Sequence, residues 1–529
     1  MASPALVGVD IGTSAVKVVA FDPSGRLLAF RRAETPTTRF PGGEAEHDVD
    51  ALWALVARLT GEVVGELGGH RVEGVATASV AESGVPLDKD GRALGPAIAW
   101  YDSRGVAEAG WWTEQAGDER VYRMTGQPID AHYGVNRLMW LRAHQPEVFA
   151  GTRHWLSLAD FVTYRMCGTY ATDFTLASRT MCFDQRRLDW SDELLALAGL
   201  DRAIFPAAHP SGTLVGTVTA EAAAATGLLI GIPVVTGGHD RLCAAFASRG
   251  RQAVPVDSVG SAEAVVVPVD HYAERTPADA GSIACYADVV PGQYVFSARI
   301  GYAGALVDWY RREVLQTNSS ASPSSASPSS LEAEIGWPLS FSGLLCYPSF
   351  GRVLAPAWDE AAATGAILGL TLGHRRSHIL QALIESVGYS LRANLEQLER
   401  LVGRSIPTLR MEGKLATSRV WAQLKADVTG RQIEAVRLEE ATALGAALLA
   451  GVGSGLYPDH GAAGDAVERD LQLWTPAPAL AAIYTDVFEH GFRLLPRLIG
   501  EVFPALDRAT AAAGAGPGQR ASPAVSGLG

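Results

Sequence analysis

Hydrophobic positions open the chain in two β-branched runs, residues 6–11 and 16–21, separated by Gly12-Thr13-Ser14. Runs of this kind around a small hydroxylated turn predict a β-hairpin. A tight turn at Asp22-Pro23-Ser24-Gly25 leads to a third strand over 27–32. The period then changes: Leu52, Trp53, Val56, Leu59 and Val63 fall at helical spacing and predict a helix over 50–64. Short apolar strands are expected at 72–79 and 96–101, on either side of the turn at 88–91, and residues 111–206 read as mostly helical. Residues 231–237 predict a buried strand running into Gly237-Gly238-His239-Asp240 and a small-residue helix over 242–247.

The segment Val256-Asp257-Ser258-Val259-Gly260-Ser261, continuing to Val267, repeats the opening order of strand, Asp, Gly, hydroxyl and strand, with one extra residue before the glycine. This is a weak internal repeat and predicts two related lobes. Ile379, Leu383, Val387, Leu391, Leu395 and Leu398 mark a long helix over 376–402 with one core-facing stripe. Strand, turn and helix alternate over 410–455, ending in a helix of small residues at 441–453 suited to close packing. Ser/Pro-rich residues 316–330 read as a flexible insert and the Ala/Gly/Pro-rich tail, 509–529, as disordered. The chain is therefore expected to be α/β, with one domain over 1–250 and a second over 251–500.

Composition narrows the function. The 529 residues are 48% hydrophobic and 19% charged, as in soluble globular proteins, and their formal charge of −13 argues against nucleic acid or an anionic membrane as the main partner. No apolar run reaches about 18 residues, and Met1-Ala2-Ser3-Pro4 lacks the basic start of a signal peptide, so a cytoplasmic protein is expected. Five scattered cysteines without C-x-x-C spacing indicate neither a disulfide framework nor a zinc site.

The opening hairpin carries the first candidate chemistry. Glycine lets a backbone approach an anion closely, the N–H groups of Thr13 and Ser14 can donate to phosphate oxygens, and Asp10 could hold a hydrated Mg²⁺ beside them. An ordinary turn, in which Asp and Thr satisfy only local hydrogen bonds, fits the same few residues. A strand ending in Gly-Gly-His-Asp likewise puts Asp240 at the mouth of a cleft, or at the N-cap of the helix that follows.

Taken in order, the motifs resemble the FGGY carbohydrate kinases, the xylulokinase and glycerol kinase group. They are Asp10-Ile-Gly-Thr-Ser14, Ala99-Trp-Tyr-Asp102-Ser-Arg104, Gly237-Gly-His-Asp240, Gly260-Ser261, Pro348 to Pro356 leading into Gly365 to His374, and Ser418 to Gly430. The resemblance implies two actin-like, ribonuclease-H-like lobes around a central cleft, with sugar bound by the first and ATP mainly by the second. It implies Asp240 as catalytic base, Asp10 as the Mg²⁺ residue, and Gly12, Thr13 and Ser14 facing the phosphates opposite Gly260 and Ser261. Gly304, Gly413, Lys414 and Ala416 would lie on the adenosine side. Ala81, Glu82, Trp100, Asp102, Arg104 and His132 would join Asp240 around the acceptor.

From the residues alone, Asp102 with Arg104 also reads as a structural ion pair, and His132 as a structural histidine. The sequence departs from the family at Ser261, where threonine is usual, and at Glu412 and Lys414, where a glycine run is usual. Ala81-Glu82 stands where xylulokinases carry Met-His, with Glu82 matching the glutamate of glycerol kinases. The implied activity is ATP- and Mg²⁺-dependent phosphorylation of a primary hydroxyl of a small ketose or polyol, a xylulose-like pentulose favoured. Alternatives are a hexulose, a tetritol or glycerol as acceptor, a catalytically degenerate sugar- or nucleotide-binding sensor, and an actin-like ATPase. The expected partner is a small-molecule sugar or polyol, with no nucleic acid and no membrane, and a homodimer is left open.

Overall fold

The computed structural model describes residues 2–316, 328–349 and 365–512. The opening hairpin forms as expected: β1 (Ser3–Ile11) pairs antiparallel with β2 (Ala15–Phe21), which pairs with β3 (Leu27–Glu34). On its other side β1 pairs parallel with β4 (His70–Ser79), β4 with β6 (Pro233–His239), and β5 (Leu214–Thr217) closes the edge antiparallel. Helix α1 (Val49–Glu66) crosses between β3 and β4; the Asp48 side chain caps it by accepting from the Ala51 N–H, and Leu52, Trp53, Val56, Leu59 and Val63 face the core.

The second sheet repeats this order. β7 (Val256–Val259) and β8 (Glu263–Val269) form a hairpin, and β8 pairs with β10 (Tyr294–Ile300), flanked by β9 (Ala284–Ala287). β7 pairs parallel with β11 (Thr408–Glu412), β11 with β12 (Gln432–Arg437), and β13 (Asp470–Trp474) closes the edge. The two hairpins thus hold the same place in two sheets of common topology, and the repeat in the sequence is a repeat in the fold.

Helix α2 (Asp240–Arg249) follows β6, α3 (Arg376–Val402) and α4 (Arg419–Thr429) cover the second sheet, and α5 (Ala441–Gly453) follows β12. α5 comes from the second half of the chain but packs on β1, β4, β6 and α2. Residues from both halves, among them Leu6, Val235, Phe246, Val266 and Leu448, therefore share one core. Its small residues allow backbone-to-backbone contact: a Cβ at Gly445 would lie 2.0 Å from the Cys243 carbonyl oxygen. Gly445→Ala is expected to destabilise the protein by about 1–3 kcal/mol, because both neighbours are helix backbone that cannot yield. A drop in thermal midpoint measures it.

Several elements differ from expectation. Only Ala97–Ile98 of 96–101 is strand, and it pairs with Ala45–His47; the chain then turns away at Ala99. A strand at Gly84–Leu87, too short to show a period, pairs with His154–Ser157. Within 316–330, Pro328–Ile335 opens a helix, and residues 317–327 of the expected insert lie outside the described residues. So does most of the Pro348 to Pro356 motif. The expected tail begins too early: residues 509–512 complete the helix Leu495–Ala512, and 513–529 lie outside the described residues.

Candidate active site

The two hairpin tips are built differently. In the first, Gly12 N–H donates to the Ala15 carbonyl at 3.0 Å, closing the turn, while the Thr35 hydroxyl donates to the Gly12 carbonyl at 2.8 Å. The Thr13 hydroxyl accepts from the Trp100 indole N–H at 2.8 Å, which ties the tip to the loop that follows the Ala97–Ile98 strand. Asp10 ends β1 almost fully buried, and its cross-strand partner Lys17 approaches it at 3.2 Å while also pairing with Glu440 at 2.8 Å. Burial pushes the Asp10 carboxyl up and Lys17 opposes it.

In the second lobe, Gly260 and Ser261 are held against the start of the helix Gly304–Trp309. Their carbonyls accept from the N–H groups of Gly304 at 3.0 Å, Ala303 at 2.9 Å and Ala305 at 3.1 Å. Gly413 lies beside them: its φ of 97° is in the left-handed region, and a Cβ there would stand 2.5 Å from the Val259 carbonyl oxygen. The turn continues through Lys414 to Ala416, whose N–H donates to the Gly413 carbonyl. Gly260, Ser261, Gly304, Gly413 and Ala416 therefore converge. Glu412 does not join them: its side chain is 3% exposed, turned into the lobe toward Ser258, and burial pushes its carboxyl up to about 7.

Between the lobes, β6 slips by one residue in its pairing with β4 between Thr236 and Gly238, and ends at His239. Asp240 is the first residue of α2, and the cap position belongs to His239, so its carboxylate is not a helix cap. Its Oδ1 accepts from the Arg241 N–H at 2.6 Å and lies 3.2 Å from His239 Nε2. Oδ2 has no hydrogen-bond partner among the described residues. Burial pushes the Asp240 carboxyl up to about 7, opposed by Arg241 and reinforced by Asp10 and Glu82, whereas burial pulls the His239 imidazole down to about 3 and keeps it neutral.

Glu82, near the end of the loop after β4, anchors a buried polar cluster. Arg179 donates to its Oε1 through Nε at 2.7 Å and approaches it with Nη2 at 2.5 Å. Nη1 of Arg179 donates to Gln127 Oε1 at 3.0 Å, and Nη2 lies 3.0 Å from His132 Nε2. His132 Nδ1 is 2.8 Å from Asp130, and Asp130 pairs with Arg299 of β10 at 3.1 Å. Burial keeps His132 neutral, so Nδ1–H donates to Asp130 and Nε2 accepts from Arg179. Burial alone would raise the Glu82 carboxyl, but Arg179, with His132 and His239 adding to it, holds it at about 2.

Three expected acceptor contacts, Asp102, Arg104 and Ala81, are engaged elsewhere. Asp102 accepts from the Ala45 N–H at 2.7 Å and from the Arg104 guanidinium at 2.7 Å, and its side chain has no exposed surface. Arg104 also binds Glu46 at 2.7 Å. The pair is structural: it pins the chain leaving the Ala97–Ile98 strand to the Ala45–His47 strand. Ala81 packs with Ala159 and Leu176 in a small apolar cluster. Sequence reading missed Lys17, His239 and Arg179. For Arg179 the available signal was a lone arginine followed by the apolar residues 181–183.

Two sheets of one topology, each carrying a hairpin whose tip holds a glycine and a hydroxyl, define a protein of the actin-like class. Residues 5–247 match the FGGY family of carbohydrate kinases, N-terminal domain, and residues 261–454 match its C-terminal domain. The chain belongs to the FGGY family of carbohydrate kinases and is a carbohydrate kinase that uses ATP with Mg²⁺ to phosphorylate a sugar or polyol. It is 26% identical over 496 residues to a xylulose kinase of Bacillus subtilis, covering 92% of this chain and 95% of that one. It is 28% identical over 462 residues to a glycerol kinase of Gloeobacter violaceus, covering 87% and 90%. The crystal structure of a gluconate kinase from Lactobacillus acidophilus superposes with a TM-score of 0.83 at 22% identity, over 94% of this chain and 98% of that one.

The residues present suit the nucleotide and its metal. Mg²⁺ is ordinarily held by one or two carboxylates together with phosphate oxygens and water, and Asp10 supplies one such carboxylate beside the first tip. At the second tip glycine lets two backbone segments approach closely, since a Cβ on Gly304 would stand 2.8 Å from the Gly260 carbonyl oxygen. Among the described residues, no helix is long and apolar enough to cross a membrane.

Proposed function

We propose that this kinase transfers the γ-phosphoryl group of ATP to a primary hydroxyl of a small ketose or polyol, with a xylulose-like pentulose as the leading acceptor. The first lobe binds the acceptor and the second holds most of the nucleotide. The observation that carries the reading is Asp240, with Oδ1 fixed by two neighbours and Oδ2 left to accept a proton. In this reading Asp240 Oδ2 takes the acceptor's hydroxyl proton as that oxygen bonds to phosphorus and the bridging oxygen leaves with ADP. Gly12, Thr13 and Ser14 face the phosphates from one side, Gly260 and Ser261 from the other. Gly304, Gly413 and Ala416 line the adenosine side, and Asp10 holds the metal. Bound Mg²⁺ supplies neutralisation of phosphate charge.

Glu82, His132 and Trp100 bound the acceptor side. A second acceptor class, glycerol or a short polyol, is favoured by one observation: Glu82 is a buried carboxylate held ionised, an acceptor suited to adjacent hydroxyls. A cytoplasmic protein acting on small molecules rather than nucleic acid completes the proposal. Coupled ATP turnover with D-xylulose, D-ribulose, L-fuculose, erythritol and glycerol, run beside Asp240→Asn, tests it. ATP turnover that needs no acceptor would support an actin-like ATPase, and binding without turnover a sensor.

Lys414 is assigned to a nucleotide phosphate, since it lies within electrostatic reach of Lys17, Arg32, Glu440 and Asp10. Lys414→Ala is expected to raise KM for ATP about tenfold, ~1.4 kcal/mol, with the acceptor KM unchanged. An unchanged KM for ATP would refute the assignment.

A further inference from the structure

The acceptor side of the site is organised by a residue outside every motif. Arg179 follows the short helix Phe174–Ser178, and its guanidinium is 8% exposed. It is enclosed by groups from several segments: Glu82 from the loop after β4, Gln127 and His132 from the 127–132 loop, and the rings of Tyr133 at 4.9 Å and Tyr286 at 5.4 Å. Tyr286 belongs to β9 of the second lobe. Of the five N–H donors of a guanidinium, one from Nε, one from Nη1 and one from Nη2 are engaged by Glu82, Gln127 and His132, and Nη2 also stands 2.5 Å from Glu82 Oε1 in the ion pair. Glu82 is bound through Oε1 alone, and its Oε2 has no hydrogen-bond partner among the described residues.

We propose that Arg179 is the positioning residue that sets acceptor specificity: it fixes Glu82 and His132 so that Glu82 Oε2 and one Nη1–H meet a neutral vicinal diol. This rests on the kinase reading of the site and deepens it to a substrate class. A sugar acid is disfavoured, because its carboxylate would enter a site holding Glu82, Asp240 and Asp130, where Arg179, the nearest cation, is already matched to Glu82. An uncharged polyol or ketose meets an acceptor oxygen and a donor N–H from one rigid pair.

The charged and titratable groups facing Glu82 are Arg179, His132, His239, Asp240, Arg137 and Tyr133. Arg179 is the largest of the influences that hold the carboxyl down, ahead of His132 and His239, so without it burial moves that carboxyl upward. The experiment measures steady-state kinetics of the full chain with D-xylulose, glycerol and D-gluconate from pH 5.5 to 8.5, for wild type, Arg179→Ala, Arg179→Lys and Asp240→Asn. Thermal midpoints check folding. Arg179→Ala should raise KM for the neutral acceptor by about 10- to 100-fold and leave KM for ATP within about twofold. Its log kcat/KM should fall with a slope approaching two on the acid side, against one for wild type, as Glu82 joins Asp240 in taking a proton. Arg179→Lys should restore the slope of one and part of the KM, and it remains readable if the alanine variant does not fold.

Acceptor KM and slope unchanged in both Arg179 variants, with turnover abolished by Asp240→Asn, would overturn this role and leave the kinase reading intact. Turnover of D-gluconate as efficient as that of the neutral acceptors would overturn the assigned class. Turnover that survives Asp240→Asn would remove the site reading, and the role of Arg179 with it.

Discussion

Replacing Asp240 with asparagine is expected to lower kcat by about 10²- to 10⁴-fold, the range attributed to a positioned general base. The substitution keeps the volume and can keep the Oδ1 bonds to the Arg241 N–H and His239, so what is lost is the basicity of Oδ2. The same carboxyl predicts the pH profile. It is pushed up to about 7 by burial, so wild-type kcat/KM should fall as pH drops through 7 and the group takes a proton, and this limb should vanish in the variant. Stability supplies the control. A carboxyl whose pKa is raised by folding stabilises the fold when protonated and loses that contribution as pH rises through 7, so asparagine should leave the thermal midpoint at pH 8 unchanged or higher. A variant that loses activity by unfolding would show the opposite.

Lys425→Met is expected to produce the largest loss of stability, about 3–5 kcal/mol. Lys425 of α4 is fully buried at the base of the β7–β8 hairpin, 2.5 Å from Asp257 and 2.8 Å from Glu263. Burial, with Asp257 adding to it and Lys425 opposing it, pushes the Glu263 carboxyl up to about 8. Methionine fills the space but leaves Asp257 and Glu263 buried without their cation. Thermal and urea denaturation should both register the change. KM for ATP should also rise, since the Gly260–Ser261 tip stands on these two strands. Lys425→Met/Asp257→Asn/Glu263→Gln, with no charge left to strand, should recover much of the loss.

Some of this was legible in the sequence and some was not, for identifiable reasons. The first hairpin, α1, β6 with α2, and α3 announce themselves because their apolar period is long and their turns carry Gly, Pro or Asp. The small residues at 441–453 correctly signalled close packing, though not that α5 would lie on the first sheet. Asp10, Thr13, Asp240, Gly260, Gly304 and Gly413 were singled out as candidates by the order of the motifs along the chain, which a family resemblance carries where single residues do not. Asp102 was assigned to the acceptor because nothing local reveals that the Ala45 N–H lies across from it. Glu412 raised a concern for the nucleotide that its inward direction removes, and Arg179 gave no motif because the groups around it lie tens of residues away in sequence or on the far lobe. Side-chain direction across a cleft is a tertiary fact.

The seating of α5 on α2 and β1 has a mechanical meaning. Where Gly445 meets the Cys243 carbonyl and Gly8 meets that of Ala443, no side chain lies between the backbones to act as a cushion. Such a joint resists sliding, because a shift of one residue along either helix would drive a Cβ into a carbonyl. The two halves are thus joined backbone on backbone, and Asp240, at the first residue of α2, is carried by one of the helices that form this joint.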